Sequence, residues 1–385
     1  MLPGSAYIIS ARRTALGRLG GLHRARRVQD LAALVIAACL KDCGLSPAKI
    51  GRLIVGNSSE TGNPARLIGL TAGLPDQLAA VTIDQEEASG LTAIVDAARL
   101  VITGDAEAVI AGGAEAISMA PWQVAKPRNM HQTPRFIGLR SETSDGAESD
   151  GALEADEALA RRLKISRHQQ DDYAVRAHLK AGLAVDARLL PKEIVAFKAT
   201  AEEGRDQSAV EPELQDLQEL PPLLGEGTLT SGNTSAVHDG AAFVVVVSEA
   251  VWTELGKPPA LKLLASATIG TAAAETADAP IVAMQRLLGR AGTLAAKDLD
   301  AVEMSETSAV QAIALRNALG LSDEALNGDG GAIVRGQPLG AAGAVLVARL
   351  FTRLVRAPGA TPGKRGATVL GARGGIGIAA LFQST

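Results

Sequence analysis

The fold of this chain is decided by one stretch of the sequence, Val81-Thr82-Ile83-Asp84-Gln85-Glu86-Glu87-Ala88-Ser89-Gly90-Leu91. Its composition predicts a strand that ends near Ile83, a sharp turn, and an Ala-rich helix over residues 88–101. Enzymes often place a nucleophile at such a turn, because the N-terminus of a helix stabilises an anion. The residue at the turn is Glu87, so we expect a carboxylate there.

Strand-like and helix-like segments alternate through the first 121 residues, and this order favours a layered α/β fold. The middle of the chain, residues 122–238, is charged and contains prolines, so we interpret it as an insertion with its own helices. The last section, residues 263–385, repeats the outline of the first, since glycine turns precede Ala-rich helices at 88–101 and again at 339–355. The pattern predicts two similar halves.

Short motifs along nearly the whole chain resemble those of the thiolase family of acyl-CoA C-acyltransferases. Examples in chain order are Ala11-Arg12-Arg13-Thr14, Gly56-Asn57, Gly112-Gly113-Ala114-Glu115, Gly232-Asn233-Thr234-Ser235, Asp239-Gly240-Ala241, Gly340-Ala341-Ala342-Gly343 and Gly374-Gly375-Ile376-Gly377. The resemblance implies an α/β thiolase fold, which is a duplicated layered αβαβα core with an inserted loop domain. It places the N-terminal half at 1–121, the loop domain at 122–238, the end of the N-terminal half at 239–262 and the C-terminal half at 263–385.

The same resemblance implies four catalytic loops, and this chain departs from the family at each of them. The family has a nucleophilic cysteine where Glu87 stands, and Gly-His-Pro where this chain has Gly336-Gln337-Pro338. Its Cys-x-Gly is replaced by Gly371-Ala372-Arg373, and its Asn-Glu-Ala-Phe by Ser305-Glu306-Thr307-Ser308. Ser149-Asp150 also stand where many thiolases carry His-Met. Because nucleophile, base and proton-exchanging thiol are all absent, we predict that standard thiolysis and Claisen condensation do not occur.

The new residues at these loops carry charge. A lone buried carboxylate costs several kcal/mol to desolvate, so we predict that Glu87 pairs with Arg373 or, failing that, with Arg335. One alternative is that Glu87 turns toward solvent or toward backbone donors at the start of the helix. Another is that Glu87 or Glu306 works as an acid, base or nucleophile in an acyl-CoA hydrolase or lyase.

Coenzyme A or an acyl-CoA is the candidate ligand, and no further cofactor is required. Ser235 matches a serine that contacts CoA in thiolases, and Ser231 lies on the same loop. The alternative is that this loop only packs the insertion against the core. Ser308 replaces an apolar residue of the family that faces CoA, which weakens the case for tight binding.

Composition excludes several other classes of protein. The net charge of −4 leaves no basic footprint for nucleic acid, the apolar runs are too short to cross a membrane, and the five histidines show no spacing of metal ligands. We expect a cytoplasmic protein.

Thiolases form dimers or tetramers, and Thr82 to Gln85 resemble a segment of their dimer interface, so we expect a homodimer or homotetramer. A further possibility is a non-catalytic subunit that supports an active thiolase-like partner chain.

Overall fold

The computed structural model describes residues 4–385 except 128, 138–140, 143–147, 150, 188, 210–212 and 293. Its strands are β1 (Ala6–Arg13), β2 (Gly17–Arg18), β3 (Arg52–Gly56), β4 (Ala80–Ile83), β5 (Ala108–Glu115), β6 (Gln123–Ala125), β7 (Arg135–Ile137), β8 (Ser141–Glu142), β9 (Glu148–Ser149), β10 (His238–Ser248), β11 (Leu261–Gly270), β12 (Ala301–Ser305), β13 (Arg365–Ala372) and β14 (Ile376–Ser384). Within the described chain, no helix is both long and apolar enough to span a bilayer.

The helices mostly lie where their apolar periodicity predicts them. They are α1 (Val28–Cys43), α2 (Pro64–Thr71), α3 (Ser89–Thr103), α4 (Gly151–Leu163), α5 (Arg167–Asp186), α6 (Leu214–Gln218), α7 (Glu249–Glu254), α8 (Ala279–Arg290), α9 (Ala309–Leu319), α10 (Ala332–Arg335) and α11 (Ala342–Phe351). One prediction is wrong in detail. The helix expected over 339–355 consists of a 3₁₀ turn at Leu339–Ala341, then α11, then a π turn at Thr352–Arg356.

The two halves of the chain repeat one strand order. The large sheet runs β12-β13-β14-β11-β1-β10-β5-β3-β4, and β1 and β11 meet at its centre. Outward from β1, the pairs β1–β10 and β10–β5 are antiparallel, and the pairs β5–β3 and β3–β4 are parallel. Outward from β11 the first three pairings are the same, and the fourth is a parallel bridge between Val302 and Leu326. This match confirms the duplication inferred from the glycine turns.

The core forms the predicted layers. Helices α1 and α2 cover the outer face of the first half, through residues such as Leu31 and Ile68. Helices α3 and α11 lie between the halves, where Leu91 and Val347 are fully buried. Helices α8 and α9 cover the outer face of the second half, together with α4 and α5 from the insertion. The start of α3, and with it the turn at Glu87, therefore lies at the centre of the molecule.

Candidate active site

Glu87 occupies a tight turn between β4 and α3. Glu86, just before it, has a φ of 52°, a left-handed conformation that is uncommon outside glycine. Ser89 closes the turn, because its Oγ accepts a hydrogen bond from the Gln85 amide at 2.8 Å and donates one to the Glu86 carbonyl at 2.6 Å. The turn places Glu87 immediately before the helix, with only 7% of its surface exposed.

The Glu87 carboxylate is held by Arg373. Its Oε2 accepts a hydrogen bond from the Arg373 backbone amide at 3.1 Å, and its Oε1 lies 3.6 Å from Nε of the same residue. Arg373 Nη1 is also 3.9 Å from the Glu86 carboxylate. Burial and the neighbouring Glu87 raise the pKa of Glu86, while Arg373 opposes the rise. The predicted Glu87–Arg373 pair is therefore confirmed.

Arg335 does not approach Glu87, so its place as an alternative partner was a wrong prediction. Its Nε lies 3.6 Å from Asp206, and its Nη2 donates to the backbone carbonyl of Asp329. Asp206 in turn binds Arg13 at 2.6 Å. The physical reason is that α10 faces the insertion, where Asp206 needs cations to offset its burial. Burial lowers the pKa of Arg335 to about 10.

Gln337 lies in a loop that packs against the Ser235 loop. Its backbone pairs with Ala236 and His238, at 2.9 and 3.0 Å. Ser235 Oγ donates to Gln337 Oε1 at 3.0 Å, so the hydroxyl expected to contact CoA is directed at a protein group. Gln337 Nε2 is buried and has no hydrogen-bond partner among the described residues. Ser231, by contrast, is exposed.

Glu306 follows Ser305, the last residue of β12, and is completely buried. Asn327 donates to its Oε2 at 2.8 Å. Burial raises the pKa of Glu306 to about 7, and the backbone amides of Ala332 and Ile333, with Asn327, act in the opposite direction. A carboxyl group with this pKa can give or take a proton near neutral pH.

A further buried carboxyl group was missed by the sequence reasoning. Asp156 of α4 accepts a hydrogen bond from Gln311 Nε2 at 2.9 Å, and burial raises its pKa to about 7, while Ser308 and Gln311 lower it. Ser308 itself is fully buried and lies near this carboxyl group. Nothing in the helical pattern of α4 distinguishes Asp156 from a surface residue.

The four loops come together in part. Glu87 and Arg373 are in contact, and Gly340 of the Gln337 loop packs so closely on α3 that a Cβ on Gly90 would lie 2.7 Å from the Gly340 carbonyl oxygen. Gly371 lies within β13, where a Cβ would be 3.1 Å from Pro280. Among the described residues, no hydrogen bond joins Glu306 to the Glu87 turn. Ser149 ends β9, and the expectation for residue 150 lies outside the described residues.

The duplicated fold, with its tight turn between β4 and α3, agrees with the similarity of this chain to known proteins. The family models for the thiolase N-terminal and C-terminal domains match residues 6–250 and 257–384. The chain belongs to the thiolase family.

Among curated relatives, the putative acetyl-CoA C-acetyltransferase of Staphylococcus epidermidis is 34% identical over 98% of this chain and 97% of its own length. The acetyl-CoA acetyltransferase of Cupriavidus necator is 33% identical over 97% of each chain. Among solved structures, human mitochondrial 3-ketoacyl-CoA thiolase in complex with CoA matches with a TM-score of 0.89 and 30% identity, over 100% of this chain and 99% of that chain.

Proposed function

We propose that this protein binds an acyl-CoA and does not carry out cysteine-dependent thiolysis or Claisen condensation. The observation that carries the proposal is the ion pair between Glu87 and Arg373 at the nucleophile turn. A carboxylate held by a guanidinium and a backbone amide is a poor substitute for a thiolate, because its charge is already neutralised. Gln337, where the family has a histidine, has no titratable group and cannot take a proton.

Binding of CoA is supported by the solved relative that holds CoA and covers the same chain length. Ser231 is the better placed of the two candidate contacts, since it is exposed. Ser235 must give up its hydrogen bond to Gln337 before its hydroxyl can donate to a ligand. We therefore expect weak binding, with Ser231 contributing more than Ser235.

The test is to add acetyl-CoA or acetoacetyl-CoA with CoA to the purified protein, while thermal unfolding and free thiol are followed. The expected result is a rise in Tm at saturating ligand, since binding to the folded state alone stabilises it. No CoA thiol should be consumed in the presence of acetoacetyl-CoA, and no acetoacetyl-CoA should form from acetyl-CoA. Ser231→Ala should reduce the rise more than Ser235→Ala. Turnover at a rate typical of thiolases would overturn the proposal.

A second candidate function is hydrolysis or C–C cleavage of an acyl-CoA by a carboxyl group. It is favoured by Glu306, whose pKa of about 7 suits a general acid or base. Release of free thiol from acetyl-CoA that is lost in Glu306→Gln would support it. Loss of that release in Glu87→Gln instead would assign the reaction to the nucleophile turn.

A third candidate, the non-catalytic partner subunit, depends on self-association or pairing through the sheet edge. Strand β4 is the outermost strand of its half, and its residues are only partly buried, so another chain can reach it. Light scattering of the purified protein tests the expected homodimer or homotetramer, and co-purification with an active thiolase-like chain tests the partner role. Fractionation of cells tests the cytoplasmic location.

A further inference from the structure

A serine and a histidine outside the four catalytic loops are hydrogen-bonded as a nucleophile and its base would be. Ser208 Oγ lies 2.6 Å from Nε2 of His238, and Nδ1 of His238 lies 2.9 Å from the backbone carbonyl oxygen of Ala236. A carbonyl oxygen can only accept, so Nδ1 carries the ring proton and Nε2 is the acceptor. The Ser208 hydroxyl therefore donates to an imidazole that a third group orients.

The fold fixes this geometry from three sides. Strand β2 pairs with the start of β10, which sets Arg18 opposite His238, and the Arg18 Nε donates to Ser208 Oγ at 3.0 Å. The imidazole packs against Gly336, where a Cβ would be 2.1 Å from the ring. The ring therefore needs a glycine at this position.

The exposure of Ser208 and the electrostatic surroundings of His238 suit the roles of nucleophile and base. His238 is buried, whereas Ser208 is only half-buried, so the serine is the more accessible member of the pair. Burial lowers the pKa of His238, and the charge of Arg18 acts in the same direction. The Ala236 carbonyl and the carboxylates of Asp206 and Asp239 oppose the shift. In its neutral form the imidazole can accept a proton at Nε2.

We propose that Ser208 and His238 form a nucleophile and base pair that hydrolyses small activated acyl esters or thioesters. Ser208 Oγ attacks the carbonyl carbon while its proton moves to His238 Nε2. The alcohol or thiol leaves with that proton, and an acyl-serine remains. Water then attacks the acyl-serine, again with His238 as the base, and a carboxylic acid is released.

Arg18 supplies positive charge beside the reacting atom. Its Nη atoms form no hydrogen bond within the described part of the chain and can face the oxyanion that develops during attack. The pair is separate from the Glu87 turn, so the activity does not depend on the acyl-CoA binding proposed above.

The experiment follows hydrolysis of p-nitrophenyl acetate and of acetyl-CoA by the full chain, with peptide mass spectrometry to locate an acetylated side chain. We expect acetylation on Ser208, and a fall in rate of at least about 100-fold in Ser208→Ala and in His238→Gln, since general base catalysis contributes on that scale. Circular dichroism and Tm confirm that each variant is folded. Ser208→Cys keeps a nucleophile at the site and should still be acylated.

Ser248→Ala is the matched control. Ser248 is a half-buried serine whose hydroxyl donates to the Glu107 carboxylate rather than to an imidazole. It lies at the opposite end of β10 from His238, so its loss should leave the rate unchanged. The proposal is overturned if wild-type protein hydrolyses neither ester, if the acetyl group lies elsewhere, or if Ser208→Ala retains the wild-type rate. A rate that falls in Glu87→Gln and not in Ser208→Ala would assign hydrolysis to the nucleophile turn instead.

Discussion

Removing either charge of the Glu87–Arg373 pair should destabilise the protein, and removing both should cost less than the sum. Glu87→Gln keeps an oxygen that can accept from the Arg373 backbone amide, and Arg373→Met removes the guanidinium while that amide remains. The two variants and their double mutant form a cycle that isolates the charge–charge contribution.

The magnitude of the coupling free energy follows from the distance between the two charges and from the exposure of their side chains. Two unit charges 3.6 Å apart attract by about 5 kcal/mol at an effective dielectric constant of roughly 20. The Arg373 side chain is 22% exposed, so solvent screening and lost side-chain entropy remove much of this. We expect a coupling free energy of about 1–2 kcal/mol, between the values for surface pairs and for buried pairs.

The assay is urea unfolding of the four proteins at pH 7, at low and high salt. The control is the same cycle on Asp96 and Arg99, a pair 2.8 Å apart whose side chains are 37% and 57% exposed. The control coupling should be below about 0.5 kcal/mol and should vanish in high salt. A Glu87–Arg373 coupling no larger than this control would refute the view that a buried ion pair fills the former nucleophile position.

Three further perturbations have definite expected outcomes. Arg335→Met should change the free energy of unfolding by less than about 2 kcal/mol, because burial already disfavours the Arg335 charge and Asp206 keeps its ion pair with Arg13; a loss above about 3 kcal/mol by urea unfolding would contradict this. Glu87→Cys should restore no thiolysis of acetoacetyl-CoA, since Gln337 still cannot activate a thiol, and CoA consumption by this single variant would refute that reasoning. The pKa of Asp156 is raised to about 7 in the folded state. Between about pH 4 and 7 the folded protein therefore binds more protons than the unfolded chain. Its free energy of unfolding should fall as pH rises through that range. Asp156→Asn should flatten this part of the pH–stability curve measured by urea midpoints, and an unchanged slope would count against the assignment.

Much of the secondary structure could be predicted from local sequence. Helix α1 begins at Val28 and ends at Cys43, and β3 runs from Arg52 to Gly56, as the apolar pattern predicts. Gly44, which follows α1, has a φ of 66°, a conformation that glycine adopts readily at helix ends. Predicted helix boundaries are wrong where tertiary contacts end or delay a helix. Gly340 donates its amide to buried Glu115 at 3.2 Å, and the predicted helix begins only after it.

Some features of the candidate site could likewise be predicted from the sequence, and others could not. Family motifs in the sequence point to Glu87, Gln337 and Gly371 as candidate site positions, and none of these residues carries a thiol or an imidazole. The sequence could not choose between Arg373 and Arg335 as the partner of Glu87. It also gave no sign that Ser208 and His238 meet, because nothing in their spacing marks a pair.

The sequence by itself determined most of the elements and the family, since these depend on residues that are near neighbours in the chain or form short motifs. Only the tertiary structure decided which charges and hydroxyls face one another. Arg373 is 286 residues from Glu87 and reaches it because β13 ends beside the start of α3. Arg335 is nearer in sequence, but α10 turns it toward the insertion. Such contacts are set by strand order and helix packing, which local propensity does not encode.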